Sequence, residues 1–182
     1  IIWCKNINCY RDDFMDLEGW DLFKAIYDKQ VPYSVIRTLL ENGADANSVD
    51  KYGDAPLHHA AKNDSPESAK MLLEKDADVD RANTKGHTPL HIAAKTSTAE
   101  VTRVLLEHGA NVNKTDKYGD TPLNLAYRAN ADNVVKVLLE YGAEEDKVDD
   151  KRCKSHKELF PCKLCDLYIN PAVEDLSLIH IS

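Results

Sequence analysis

No apolar run in this chain approaches the roughly 18 residues that a membrane-crossing helix requires. Positive charge is in deficit. The formal net charge of -8 argues against nonspecific binding to nucleic acid, whose backbone repels an acidic surface. Cysteine is missing from the whole stretch between Cys9 and Cys153. The five cysteines are Cys4, Cys9, Cys153, Cys162 and Cys165, so disulfides do not hold the middle of the chain, and the pattern reads as that of a reducing setting. Also missing are a G-x-x-x-x-G-K-[ST] loop, an H-E-x-x-H helix, and any nucleophile, base and orienting group in a fixed relation. The central region is therefore not expected to be an enzyme.

What is present is repetition. DKYGDAPL at 50–57 returns as NTKGHTPL at 83–90 and DKYGDTPL at 116–123, an even spacing of 33 residues. The register carries further. Leu39-Leu40, Leu72-Leu73, Leu105-Leu106 and Leu138-Leu139 coincide, and Gly43, Asp76, Gly109 and Gly142 share one column. A fixed period of this length means stacked units, each burying its apolar face only against its neighbours.

Each unit reads as a turn and two helices. Asp50 to Gly53, Asn83 to Gly86 and Asp116 to Gly119 form the turn, with glycine supplying a positive φ. Thr88 and Thr121 then precede a proline, which suits the first helical position because its absent N–H has no partner to lose there. Ala55 lacks the capping hydroxyl, at an expected cost of about 1 kcal/mol. Ala60-Ala61 and Ala93-Ala94 line the first helix and let neighbouring units approach closely. The second helix carries the bulk: Met71, Leu72, Leu73; Val104, Leu105, Leu106; Val134, Val135, Val137, Leu138, Leu139. Asp64 with Glu67, and Ser97 with Glu100, have capping-box spacing for that second helix.

TPLHIAA (88–94), VLLEHGANVN (104–113) and the recurring D-x-x-G-x-T-P-L resemble the ankyrin repeat. The resemblance covers residues 17–148. It implies an all-α solenoid of stacked antiparallel helix pairs with projecting β-turn or hairpin loops. The units fall at 17–49 (a degenerate first repeat), 50–82, 83–115 and 116–148. In the first unit, GWDLFKAI offers Trp20, Leu22, Phe23 and Ile26 at helical spacing, and VIRTLLENGADAN matches the second helix. The family has Gly between its two helices, where this chain has Asp64, Ser97 and Asn130. Tyr127 replaces the second small alanine, which would hinder a further unit on that side.

The resemblance also implies function: a non-catalytic module that binds another protein through a concave face made of turn tips and first helices. Carried over column by column, that face holds Lys51, Tyr52, Asp54, Lys62 and Asn63, then Thr84, Lys85, His87, Lys95 and Thr96, then Lys117, Tyr118, Asp120, Arg128 and Ala129. Six Lys or Arg stand against two Asp there, although the chain is acidic. An acidic partner segment is thus expected, with Tyr52 and Tyr118 as anchors. No small-molecule substrate is expected. The module reads as a monomeric part of a larger chain, and the family implies a cytoplasmic or nuclear setting. His58 and His91, one column in successive units, are expected to tie turns together rather than share a metal ion. His59 is expected to be an exposed helix residue without a companion.

Outside the repeats lie a 1–16 N-terminal fragment and a 149–175 tail, where Cys153-x2-His156 and Cys162-x2-Cys165 place four soft ligands at zinc spacing. FPCKLC is similar to the opening of a two-Cys, two-His finger, and CKLCDLYINPAV to the start of a RING domain. The alternative function is accordingly an ankyrin–RING ubiquitin ligase or another zinc-module protein cut short, with zinc as the only cofactor in view. The chain opens on Ile1 rather than Met, so no targeting signal can be judged. Residues 176–182, LSLIHIS, resemble a translated sequencing adapter and are left out of the fold.

Overall fold

The computed structural model describes residues 21–28 and 30–144. Cys153, His156, Cys162 and Cys165, the 1–16 fragment and the tail therefore lie outside the described residues, as does Trp20. Among the described residues the chain forms eight helices and no strand. They are α1 Leu22–Tyr27, α2 Tyr33–Glu41, α3 Pro56–Lys62, α4 Pro66–Leu73, α5 Pro89–Thr96, α6 Ala99–Glu107, α7 Pro122–Arg128 and α8 Asp132–Glu140. None is long and apolar enough to cross a membrane.

Two layers result. Helices α1, α3, α5 and α7 pack side by side as one layer, and α2, α4, α6 and α8 as the other. The close first-helix layer follows from residue size, because Ala60, Ala61, Ala93, Ala94 and Ala126 are wholly buried with nothing beyond Cβ to hold neighbours apart. Between the layers lie Leu57, Leu90 and Leu123 from one side and Leu72, Leu105 and Leu138 from the other, all at most 1% exposed. Each contributes about 1.5–3 kcal/mol by leaving water. Of the bulky second-helix residues, Leu139 instead faces solvent. In the first unit Leu22 and Ile26 enter the core, and Asp21 caps α1 by accepting the Lys24 N–H at 2.7 Å.

The turns close as hairpins. The N–H groups of Asp50, Asn83 and Asp116 donate to the carbonyls of Asp54, His87 and Asp120 at 2.9–3.0 Å. Inside each, the side chain of the first residue accepts two backbone amides: Tyr52 and Asp54 on Asp50, Lys85 and His87 on Asn83, Tyr118 and Asp120 on Asp116. This is why an Asp or Asn recurs there, since its short side chain folds the chain over itself. Neighbouring tips are tied as well, Thr84 N–H to the Tyr52 carbonyl and Lys117 N–H to the Lys85 carbonyl. On the opposite edge, Asn47, Asp80 and Asn113 accept the N–H of Asp78, Asn111 and Glu144, each 31 residues on.

The expected capping boxes at Asp64/Glu67 and Ser97/Glu100 do not form. The second helices are capped by Ser65 and Thr98, neither through a side chain. Asp64, Ser97 and Asn130 instead take left-handed backbone, at φ of 53°, 61° and 53°. The reason lies in how the first helix ends. The N–H of Ser65, Thr98 and Ala131 reaches back to the carbonyls of Ala60, Ala93 and Ala126, a closure that needs one left-handed residue just before it. These three residues thus do the work of the family's glycine, and short polar side chains such as Asp and Asn tolerate it best.

A capping box does exist, in the other helix. Thr88 Oγ1 accepts from His91 N–H while His91 Nδ1 accepts from Thr88 N–H. Ala55 has only half of it, the Ala55 N–H on His58 Nδ1 at 3.1 Å.

Candidate functional site

The inner-layer histidines set the spacing of the whole face. Because Nδ1 of His58 and of His91 receives a backbone N–H, that nitrogen is bare and Nε2 carries the hydrogen. Nε2 then donates to the His87 carbonyl from His58 (3.0 Å) and to the Asp120 carbonyl from His91 (3.1 Å). Each imidazole therefore stitches its own helix start to the next unit's turn, as expected, and has no nitrogen left for a metal. Burial pushes both pKa values below the ordinary 6.5, outweighing the opposing pull of the accepting carbonyls and nearby carboxylates.

The sign for stability follows. The fold requires neutral rings, whereas the unfolded chain takes up protons once pH falls past 6.5. Their contribution is full above pH 6.5 and is lost as pH falls from there toward the lowered folded values. The slope is up to about 1.4 kcal/mol per pH unit for each ring. Urea unfolding at pH 7.5, 6.5 and 5.5 checks this; a stability unchanged across that range would contradict it.

Polar side chains also pair across units at a constant offset of 29 residues. Asp54 Oδ1 accepts from Asn83 Nδ2 at 2.6 Å, and His87 Nε2 stands 3.2 Å from Asp116 Oδ2. The second contact is electrostatic rather than a formed hydrogen bond, since Oδ2 is buried without a hydrogen-bond partner. The His87 ring also stacks on His91, with centroids 5.8 Å apart.

Against this frame the expected surface residues separate. Lys85, His87, Lys95, Tyr118, Asp120, Arg128 and Ala129 line one open cleft of about 620 Å³ between the third and fourth units. Asp116 and Leu125 complete it. Sequence reasoning missed both, having assigned Asp116 to its turn alone; the 29-residue offset was the signal that could have found it. Within the cleft Asp120 is buried and paired to Arg128, so this acidic group is already neutralised, while Lys85 and Lys95 are exposed.

The other expected residues lie outside the cleft. Lys51, Tyr52 and Lys62 are exposed on the preceding unit, with the Lys51 ammonium 4.9 Å from the Tyr52 ring centre. Several have internal bonds. Asn63 Nδ2 donates to the Ile26 carbonyl, Thr84 Oγ1 to the Tyr52 carbonyl, Thr96 Oγ1 to the Ile92 carbonyl and Lys117 Nζ to the Thr84 carbonyl.

His59 corrects the expectation made for it. It is half-buried, its Nε2 lies 3.1 Å from Asp50 Oδ2, and its ring meets Phe23 edge-on. The companion escaped notice because Asp50 stands nine residues earlier, and only the hairpin folds it back over α3.

Stacked helix pairs, linked turn to turn and leaving one continuous polar face, define a repeat scaffold. Family models agree: one described as ankyrin repeats (3 copies) matches residues 78–149, and one described as ankyrin repeats (many copies) matches residues 39–93. The chain belongs to the ankyrin-repeat family. No curated protein matches it. Ankyrin repeats are generally protein–protein interaction modules and typically non-catalytic.

Proposed function

We propose that this chain is a non-catalytic binding module that takes an acidic segment of another protein across its turn tips and first helices. The carrying observation is the cleft between the third and fourth units. Lys85, Lys95 and Arg128 rim it, Tyr118 and Leu125 supply apolar surface, Asp120 is engaged by Arg128, and the buried Asp116 carboxylate lies against His87. Cations are thus left over on a chain whose total charge is negative, which favours and steers an anionic partner. Tyr118, 61% exposed at the tip, is the anchor, since a rigid amphipathic ring loses little entropy on docking.

The test uses immobilised Glu/Asp-rich peptides carrying scattered apolar residues, with the full chain in low salt. Lys85→Glu combined with Lys95→Glu is expected to weaken binding at least about tenfold, near 1.4 kcal/mol, with an unchanged thermal melt. Rising salt should weaken the parent in the same direction. Equal affinity of parent and double variant in low salt would overturn the reading.

A further inference from the structure

We propose that Asp50, Asp54 and His59 form a binding site for a divalent transition-metal ion, zinc by their ligand chemistry. One oxygen from each carboxylate and one imidazole nitrogen all lie within 4.8 Å of one another. Asp50 Oδ2 and His59 Nε2 stand 3.1 Å apart. That falls between the octahedral and tetrahedral ligand–ligand edges, about 3.0 and 3.4 Å for bonds near 2.1 Å.

Each ligand is held in place by further contacts, as working metal ligands are. Asp50 Oδ1 is tied to the Tyr52 and Asp54 amides, which leaves Oδ2 turned to the imidazole. Asp54 is gripped by Asn83 Nδ2 from the next unit. The His59 ring is set by the edge of Phe23, centroids 5.4 Å apart.

The repeat supplies an internal comparison. The same three columns hold Asn83, His87 and Ile92 in the next unit, and Asp116, Asp120 and Leu125 in the last. Only the 50–82 unit puts an imidazole where the others put an aliphatic side chain. That unit alone therefore sets an imidazole nitrogen beside two turn carboxylates. An ion takes the place of the hydrogen on Nε2, so the neutral ring moves that hydrogen to Nδ1. Water fills the remaining positions.

The experiment is a calorimetric titration of the full chain with zinc chloride. All five cysteines are replaced by serine so that thiolates do not compete. One ion per chain is expected. His59→Leu, which installs the residue found in the last unit, should keep the thermal melt and abolish the heat of binding. Asp54→Asn should weaken binding strongly. Absence of zinc uptake by the cysteine-free chain, or uptake unchanged by His59→Leu, would overturn the site.

Discussion

His91→Ala destabilises the protein by about 3–5 kcal/mol in urea unfolding at neutral pH. The figure rests on three losses at a fully buried position. A ring-sized void opens in a close-packed layer. The Thr88 N–H loses its acceptor, and the Asp120 carbonyl keeps the Asp116 N–H but loses its donor from the preceding unit. An unsatisfied buried N–H costs about 1–3 kcal/mol, and cavities of this kind cost a similar amount. Thr88→Ala provides the scale. It removes the cap hydroxyl and a buried methyl, leaving the side chain that Ala55 has naturally, and is expected to cost about 1–2 kcal/mol. His91→Asn keeps a side-chain oxygen that can accept the Thr88 amide but is too short to reach Asp120; its loss should fall between the two. A repeat array holds together unit by unit, so amide exchange in His91→Ala should rise first across 116–144. A loss no larger than that of Thr88→Ala would show that the clamp is dispensable.

The second large effect is backbone-borne. Gly86 adopts φ of +81°, and a Cβ there would stand 2.7 Å from the Lys117 nitrogen and 3.2 Å from the Asp116 carbonyl carbon. Both are main-chain atoms of the next turn and cannot rotate aside. Gly119 has nearly the same φ, +82°, yet a Cβ on it would meet nothing within 4 Å. The pair therefore separates two costs. Gly119→Ala bears only left-handed strain, about 1–2 kcal/mol. Gly86→Ala bears that strain and must also push the 116–119 turn away, for a total of about 3 kcal/mol or more. Thermal melts of the two variants test the difference; equal losses would mean the tips do not abut. The displaced turn carries Tyr118 and lies beside Lys85, so Gly86→Ala should also weaken acidic-peptide binding at temperatures where the protein stays folded.

Most of the architecture could be read without coordinates, and the readable parts share a cause. Helix starts at Pro56, Pro89 and Pro122, small residues inside the first layer and Asx-folded turns all follow from chemistry spanning a few residues. The 33-residue period then multiplies them into a stack. The notion of a clamp in the His58/His91 column came from the family resemblance, and the cross-unit bonds bear it out. The capping boxes were misjudged for an instructive reason. Asp64/Glu67 has the correct spacing, but how the preceding helix must close outranks it, and left-handed backbone at Asp64 moves the cap to Ser65.

By itself the sequence determined the repeat period, the helix pairing, the closely spaced alanine layer and the excess of cations among the turn-tip and first-helix columns. These are consequences of local geometry and composition repeated in register. Only the tertiary structure decided which charges are spent and which remain. It paired Arg128 with Asp120, laid Asp50 against His59, set Asp116 beneath His87, and gathered Lys85, Lys95 and Tyr118 around one cleft. Such pairings depend on the rise and rotation from one unit to the next, a property of how whole units stack that no short stretch of chain encodes.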